Sequence, residues 1–191
     1  MIEYLNLNKY EDLYKDFLHP NPNINSQAFL ILREEFEAKF MDKLLANLNE
    51  EDLLIRRKSI LALGRFGQKS LKSIIKLYIA TNKTTVKVSC LKTLIKIVVN
   101  SNLEELTPEY MLVVDLALKE SAPEIILTVI SLLRQLGATG KNILMKTCRE
   151  KNLLIAKASI SALMEMKDQT VDDLFDELLN DQSIDPMIKD D

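Results

Sequence analysis

The stretch Ile55-Arg56-Arg57-Lys58-Ser59-Ile60-Leu61-Ala62-Leu63-Gly64-Arg65-Phe66-Gly67 decides the fold, because its pattern returns in altered form along the chain. Residues 24–36 lay Ala28, Phe29 and Leu32 in the slots of Ser59, Ile60 and Leu63. Residues 86–98 supply Cys90, Leu91, Leu94 and Ile97, residues 125–137 supply Val129, Ile130, Leu133 and Leu136, and residues 155–167 supply Ser159, Ile160, Leu163 and Met166. The anchors Ile24, Ile55, Val86, Ile125 and Ile155 therefore lie 31, 31, 39 and 30 residues apart. A near-constant period of this size predicts a solenoid.

In each segment small or apolar residues recur at about i, i+4, i+5, i+8 and i+11, which puts them on one broad helical face. These are the B helices. Shorter amphipathic stretches between them, 38–48, 70–80, 108–119, 139–149 and 170–179, are the A helices. Neither kind buries its apolar face alone, so the expected architecture is all-α: a right-handed α-solenoid superhelix of about five stacked helix pairs.

Local signals mark the ends. Thr107-Pro108 reads as a cap and first-turn proline, Pro123 as a helix start, and Gly67 and Gly137 as left-handed ends of B helices. Ser70 and Thr170 are expected to cap the A helices they open, and Asn23 or Asn25 the first B helix. The long interval places a surplus of eight residues in the loop Asn100-Ser101-Asn102-Leu103-Glu104-Glu105-Leu106-Thr107. The chain reads as a single domain over 1–191: an N-terminal helix within 1–19, repeats over about 20–180, and a polar tail at 181–191.

Composition agrees with this reading. The 191 residues include only 4 Gly, 5 Pro and no Trp against 47% hydrophobic, which disfavours turn-rich β folds, collagen-like chains and long disorder. No apolar run reaches about 18 residues, so neither a membrane span nor a signal peptide is expected. Two widely spaced cysteines argue against a disulfide framework or a zinc site and suit a reducing compartment.

The net charge of −3 hides a polarised distribution. Residues 53–103 contain eleven Lys or Arg and no acid, whereas 164–191 contain ten acids and two bases. The basic middle would attract an acidic protein, a carboxylate-bearing ligand or a phosphate backbone, unless acids from other repeats interleave with it.

Enzyme signatures are lacking: there is no Gly-rich phosphate loop, no GxSxG, no HExxH and a single histidine. His19 sits in the break His19-Pro20-Asn21-Pro22-Asn23 and reads as a solvated turn residue. Cys90 shares its slot with Ser59, Val129 and Ser159 and reads as a small core residue, whereas Cys148 has an ambiguous facing. The acid runs Asp172-Asp173 and Asp176-Glu177 read as a solvated end of the array, so no metal site and no catalytic residue is assigned.

The informative residues lie opposite the face of Ile55, Ser59, Ala62, Leu63 and Phe66. There the first full repeat presents Arg57, Lys58, Leu61 and Arg65, the next Val88, Lys92, Ile95 and Lys96, the next Leu127, Ser131, Arg134 and Gln135, and the last Lys157 and Ser161. Arg57, Leu61, Arg65, Lys92, Lys96 and Arg134 are the candidate partner- or ligand-binding residues. A mixed basic and apolar face suits a protein or an amphipathic ligand better than nucleic acid, which favours bases interleaved with aromatics. A second basic row, Lys69, Lys72 and Lys76, belongs to an A helix and reads as a solvated face.

The period and the motifs Ile24-Asn25-Ser26-Gln27-Ala28-Phe29-Leu30, residues 55–67 as quoted, and Val86-Lys87-Val88-Ser89-Cys90-Leu91-Lys92-Thr93-Leu94 resemble HEAT-type repeats. In particular they are similar to the short HEAT-like repeats of the cyanobacterial and algal phycobilin lyase group, over about residues 20–180. The resemblance implies work on phycobiliproteins, as a lyase that joins a linear tetrapyrrole bilin to a partner cysteine or as a chaperone-like helper. It implies a bilin substrate but no resident cofactor. The implied partners are a phycobiliprotein subunit and a second HEAT-repeat lyase subunit, in the cytoplasm or the plastid stroma. Two other classes stand beside it: a HEAT-repeat adaptor that binds an acidic protein without catalysis, and, last, a nucleic-acid binder, disfavoured by an aromatic content of only 6%.

Overall fold

Polar caps and prolines open the helices where the chain supplies them. Asp52 Oδ1 accepts from the amides of Leu54 (2.7 Å) and Ile55 (3.2 Å), and one hundred positions later Asn152 Oδ1 accepts from Leu154 (3.0 Å). Pro22, Pro108 and Pro123 each stand in the first turn of a helix, where a missing N–H costs nothing. The computed structural model describes residues 2–101 and 107–166, with Val171, Phe175 and Asn180, and side chains from Asn8 onward.

Among these residues every regular element is helical, with no strand. The order is α1 (Ile2–Leu18), α2 (Pro22–Glu35), α3 (Glu37–Ala46), a 3₁₀ turn (Asn47–Asn49), α4 (Leu53–Phe66), α5 (Gln68–Ala80), α6 (Thr84–Ser101), α7 (Pro108–Leu118), α8 (Pro123–Gln135), α9 (Gly137–Thr147) and α10 (Leu153–Met166). The even-numbered helices are the B segments. They pack in succession, α4 on α6, α6 on α8 and α8 on α10, while α3, α5, α7 and α9 each lie against the B helix that follows. No helix among the described residues is long and apolar enough to cross a membrane.

One apolar cluster runs through the stack from Tyr10 to Val171. Its N-terminal end is aromatic: Phe40 meets Phe17 (5.2 Å between ring centres), Phe29 (6.0 Å) and Phe66 (6.0 Å), mostly edge to face. Toward the C-terminus it becomes aliphatic, with Val129, Leu132, Leu133 and Leu163 fully buried. A buried polar pair recurs across the stack. Asn47 Nδ2 donates to Ser59 Oγ (3.0 Å), and one hundred residues on, Thr147 Oγ1 meets Ser159 Oγ at 2.7 Å. The corresponding positions in the middle are Tyr78 with Cys90 and Ala117 with Val129, all buried. The end of the A segment and this slot of the next B helix are thus buried at all four levels. Where that slot is polar, it is hydrogen-bonded.

Several expected details change. Asn21, not Asn23 or Asn25, caps α2, its side chain accepting from Asn23 N at 2.9 Å. Asn25 lies one turn inside the helix and donates to the Phe17 carbonyl (2.8 Å). Ser70 does not cap α5, which begins at Gln68 directly after Gly67. Its hydroxyl is buried and donates to the Leu63 and Gly67 carbonyls, both at 2.9 Å. Gly67 ends α4 with φ 60°, a conformation that suits glycine. On α4 the buried set is Ser59, Ile60, Ala62, Leu63, Gly64 and Phe66, whereas Ile55 is half-exposed. The surplus loop is shorter at its start than expected, because Asn100 and Ser101 end α6; residues 102–106, most of 167–180 with the Thr170 cap and its acid runs, and the tail lie outside the described residues.

Candidate functional site

α4 and α6 approach so closely that a Cβ on Gly64 would lie 2.4 Å from Cβ of Lys96. Only a residue without a side chain admits this contact. In front of it the exposed sides of the two helices form a groove of about 640 Å³. Arg57 and Leu61 of α4 face Val88, Lys92, Ile95 and Lys96 of α6 across it, with Thr84 and Thr85 at one end and Glu124 at the start of α8. A second hollow of about 340 Å³ shares Leu61 and Lys96 with the groove and continues toward α2. It is lined by Phe17, Asn25 and Phe29 on that side and by Arg65, Val99 and Asn100 on the other.

The cations around these hollows divide into spent and unspent charges. Lys58 Nζ donates to the carbonyls of His19 (2.7 Å) and Phe17 (3.2 Å), so it closes the C-terminal end of α1; burial lowers its pKa from the ordinary lysine value. Arg56 Nη1 donates to the Glu50 carbonyl at 2.5 Å. Arg65 lays its guanidinium 3.9 Å from the centre of the Phe29 ring. Burial, and then the charge of Arg33, lower the pKa of Arg65. Arg57, Lys92 and Lys96 make no ion pair or hydrogen bond with the described residues.

Elsewhere acids do interleave with the basic segment. Lys69 pairs with Glu37 at 2.8 Å, Lys87 pairs with Glu120 in a half-buried contact, and Lys83 donates to Asn49 Oδ1 (3.1 Å). The interleaving of the basic middle with acids is therefore partial, at Lys69 and Lys87. Glu37 and Glu120 take up Lys69 and Lys87, whereas Glu124 lines the groove without an ion pair to Arg57, Lys92 or Lys96.

No family model matches the chain. Over 180 residues, 94% of this chain and 89% of the relative, it is 24% identical to the uncharacterized phycocyanin operon protein Z of Pseudanabaena tenuis (strain PCC 7409). Over 171 residues, 85% of this chain and 90% of the relative, it is 28% identical to the bilin biosynthesis protein CpeZ of Synechococcus sp. (strain WH8020). The likeness spans nearly the whole of all three chains and supports a relationship with a phycobilin lyase-related group.

Of the six residues singled out from sequence, the groove gathers Arg57, Leu61, Lys92 and Lys96. Arg65 stands apart in the second hollow, joined to the others through Leu61 and Lys96. Arg134, on α8, lines neither hollow and is paired with Glu165 of α10. Sequence reasoning missed Arg56, Thr84, Thr85, Asn25 and Asn100. The Arg56-Arg57 doublet was a visible signal for the first, but nothing in the sequence marks the asparagines as wall residues.

Neither hollow is lined by cysteine or histidine. Both cysteines are buried, and burial pushes the Cys90 thiol up to about 12, far from the thiolate that a nucleophile requires. His19 is an exposed turn residue whose Nδ1 accepts from Asn21 N (3.1 Å). Among the described residues no group of His, Cys, Asp and Glu is clustered for a metal ion. What the arrangement offers is binding: unspent positive charge around an apolar floor of Leu61, Val88 and Ile95.

Proposed function

We propose that this protein assists the attachment of bilin chromophores to phycobiliproteins, as a lyase subunit or as a chaperone-like partner of one, built as a HEAT-like solenoid of about five helix pairs. The observation that carries the reading is the nearly full-length likeness to proteins named for bilin biosynthesis and for a phycocyanin operon. The groove supports it physically. A bilin is a long apolar conjugated body carrying acidic propionates, and Arg57, Lys92 and Lys96 surround an apolar floor with charges that form no ion pair with a described acid. The recurring buried pair at Asn47–Ser59 and Thr147–Ser159 supports the repeat architecture.

Co-expression with a bilin and an apo-phycobiliprotein subunit tests the reading. The expected result is a chain-dependent chromophore absorption that survives denaturation, the mark of a thioether bond, either with this chain alone or only when a second lyase subunit is present. The first outcome makes the chain a lyase and the second a subunit or helper. Capture of an acidic partner protein with no spectral change would replace both with the adaptor reading.

A further inference from the structure

Resting on the bilin reading, we infer that the site has two carboxylate seats: the groove at Arg57 and Lys92, and the second hollow at Arg65, separated by the Leu61–Lys96 ridge and spanned by one elongated apolar dicarboxylate. The second hollow is a built cationic pocket. Lys58, Arg65 and Lys96 line it, and no acid does. Its wall toward α1 is fixed, since Lys58 and Asn25 both donate to the Phe17 carbonyl, at 3.2 and 2.8 Å. Phe29 holds the face of the Arg65 guanidinium at 3.9 Å. Its edge, which carries the N–H donors, meets no acceptor among the described residues.

A planar donor edge pinned on an aromatic ring and open to solvent is matched by a carboxylate, which accepts two parallel hydrogen bonds. The surrounding Leu61 and Val99, 50% and 48% exposed, favour an acid on an apolar stem over a bare phosphate. Lys96 belongs to both hollows, so it stands between the two seats. One ligand with a carboxylate in each hollow crosses the ridge at Leu61. A linear tetrapyrrole with two propionates has that chemistry.

Spectral titration of the full chain with biliverdin, and separately with biliverdin dimethyl ester, is the test. The diacid is expected to bind at least about tenfold more tightly than the diester. Arg65→Gln and Arg57→Gln are each expected to weaken the diacid about tenfold without altering the diester, and together to multiply to about a hundredfold, because separate seats act independently. Lys72→Gln on α5 should change nothing. Lys96→Gln, which leaves the Phe29 stack intact, provides a second probe of the ridge should Arg65→Gln fail to fold, and should also weaken the diacid. Unchanged diacid binding in the single variants, or a diester that binds as well as the diacid, overturns the two-seat assignment. A double variant no weaker than either single one puts both arginines on one carboxylate and overturns it too. A wild-type chain that changes the spectrum of neither compound carries no bilin seat and overturns the two-seat assignment, while the co-expression result decides the bilin-attachment reading separately.

Discussion

At α4 and α6 the outward positions of the B helices carry Arg57, Lys92 and Lys96 in no ion pair with a described acid, whereas at α8 and α10 they carry Arg134 tied to Glu165 and leave Leu127 and Met164 about half exposed. The two halves use the same register. Ten residues past the five anchors stand Glu34, Arg65, Lys96, Gln135 and Glu165, so a single slot is basic in the middle of the stack and acidic at both ends. The difference teaches that apolar spacing sets which positions face outward, while the residue a neighbouring helix brings alongside sets whether a cation stays available. Solvated, unpaired charge is what steers and holds an anion. A paired arginine on the same face is largely neutralised.

The largest expected effect treats the halves as equals. Leu63→Asp on α4 and Ile130→Asp on α8 would each bury an unpaired carboxylate in one continuous core and are expected to destabilise by about 3 kcal/mol or more, measured by urea unfolding followed by circular dichroism. Should either variant lose only part of its helix signal while the rest melts as in the wild type, the halves fold separately and the single core is wrong.

Gly64→Ala acts where the halves differ. A methyl 2.4 Å from Cβ of Lys96 must push α4 from α6, at a cost of about 1 to 3 kcal/mol, and distort the groove. Ser161→Ala, on the exposed side of α10, should leave both stability and binding near wild type. Equal losses from the two changes would remove the special standing of the α4–α6 contact.

Charge reversal sharpens the functional contrast with little cost in stability. Arg57→Glu combined with Lys96→Glu is expected to abolish binding of a bilin or an acidic partner with a melting curve close to wild type. Lys69→Glu combined with Lys72→Glu on α5 should leave binding intact and cost no more than about 1 kcal/mol, since the Lys69–Glu37 pair is exposed. If the second pair abolishes binding and the first does not, the functional surface is the A-helix row.

The smallest effect is expected from Glu165→Gln, which releases Arg134. An exposed pair of this kind is worth below about 1 kcal/mol, and bilin affinity should not change, because Arg134 lines neither hollow. A clear gain in affinity would extend the anion-binding surface to α8 and blur the contrast between the halves.

The helical class, the alternation of helices and the outward face at Arg57, Leu61 and Lys92 were legible because apolar spacing reports helix facing directly. The exact core was less so. Ile55 and Ile60 both fit an apolar stripe, and the packing of α6 on α4 buries the second and leaves the first half-exposed. Caps were misplaced by a few residues for a similar reason. Asn21, Asn23 and Asn25 are chemically equal, and Pro22 at the first turn selects Asn21. Ser70 looked like a cap, yet Gly67 reverses the chain so tightly that the helix begins before it.

By itself the sequence determined a chain of amphipathic helices at a period near 31 residues, with its bases gathered in the middle and its acids at the ends. Those are properties of local spacing and composition, and they need no partner to be read. Only the tertiary structure decided which cations are free. Lys58 was drawn onto the end of α1, thirty-nine residues before it, Arg65 onto Phe29, and Arg134 onto Glu165, while Arg57, Lys92 and Lys96 remained around one groove. A charge is neutralised by whatever lies within a few ångströms of it, and across stacked helices that neighbour comes from a distant part of the chain.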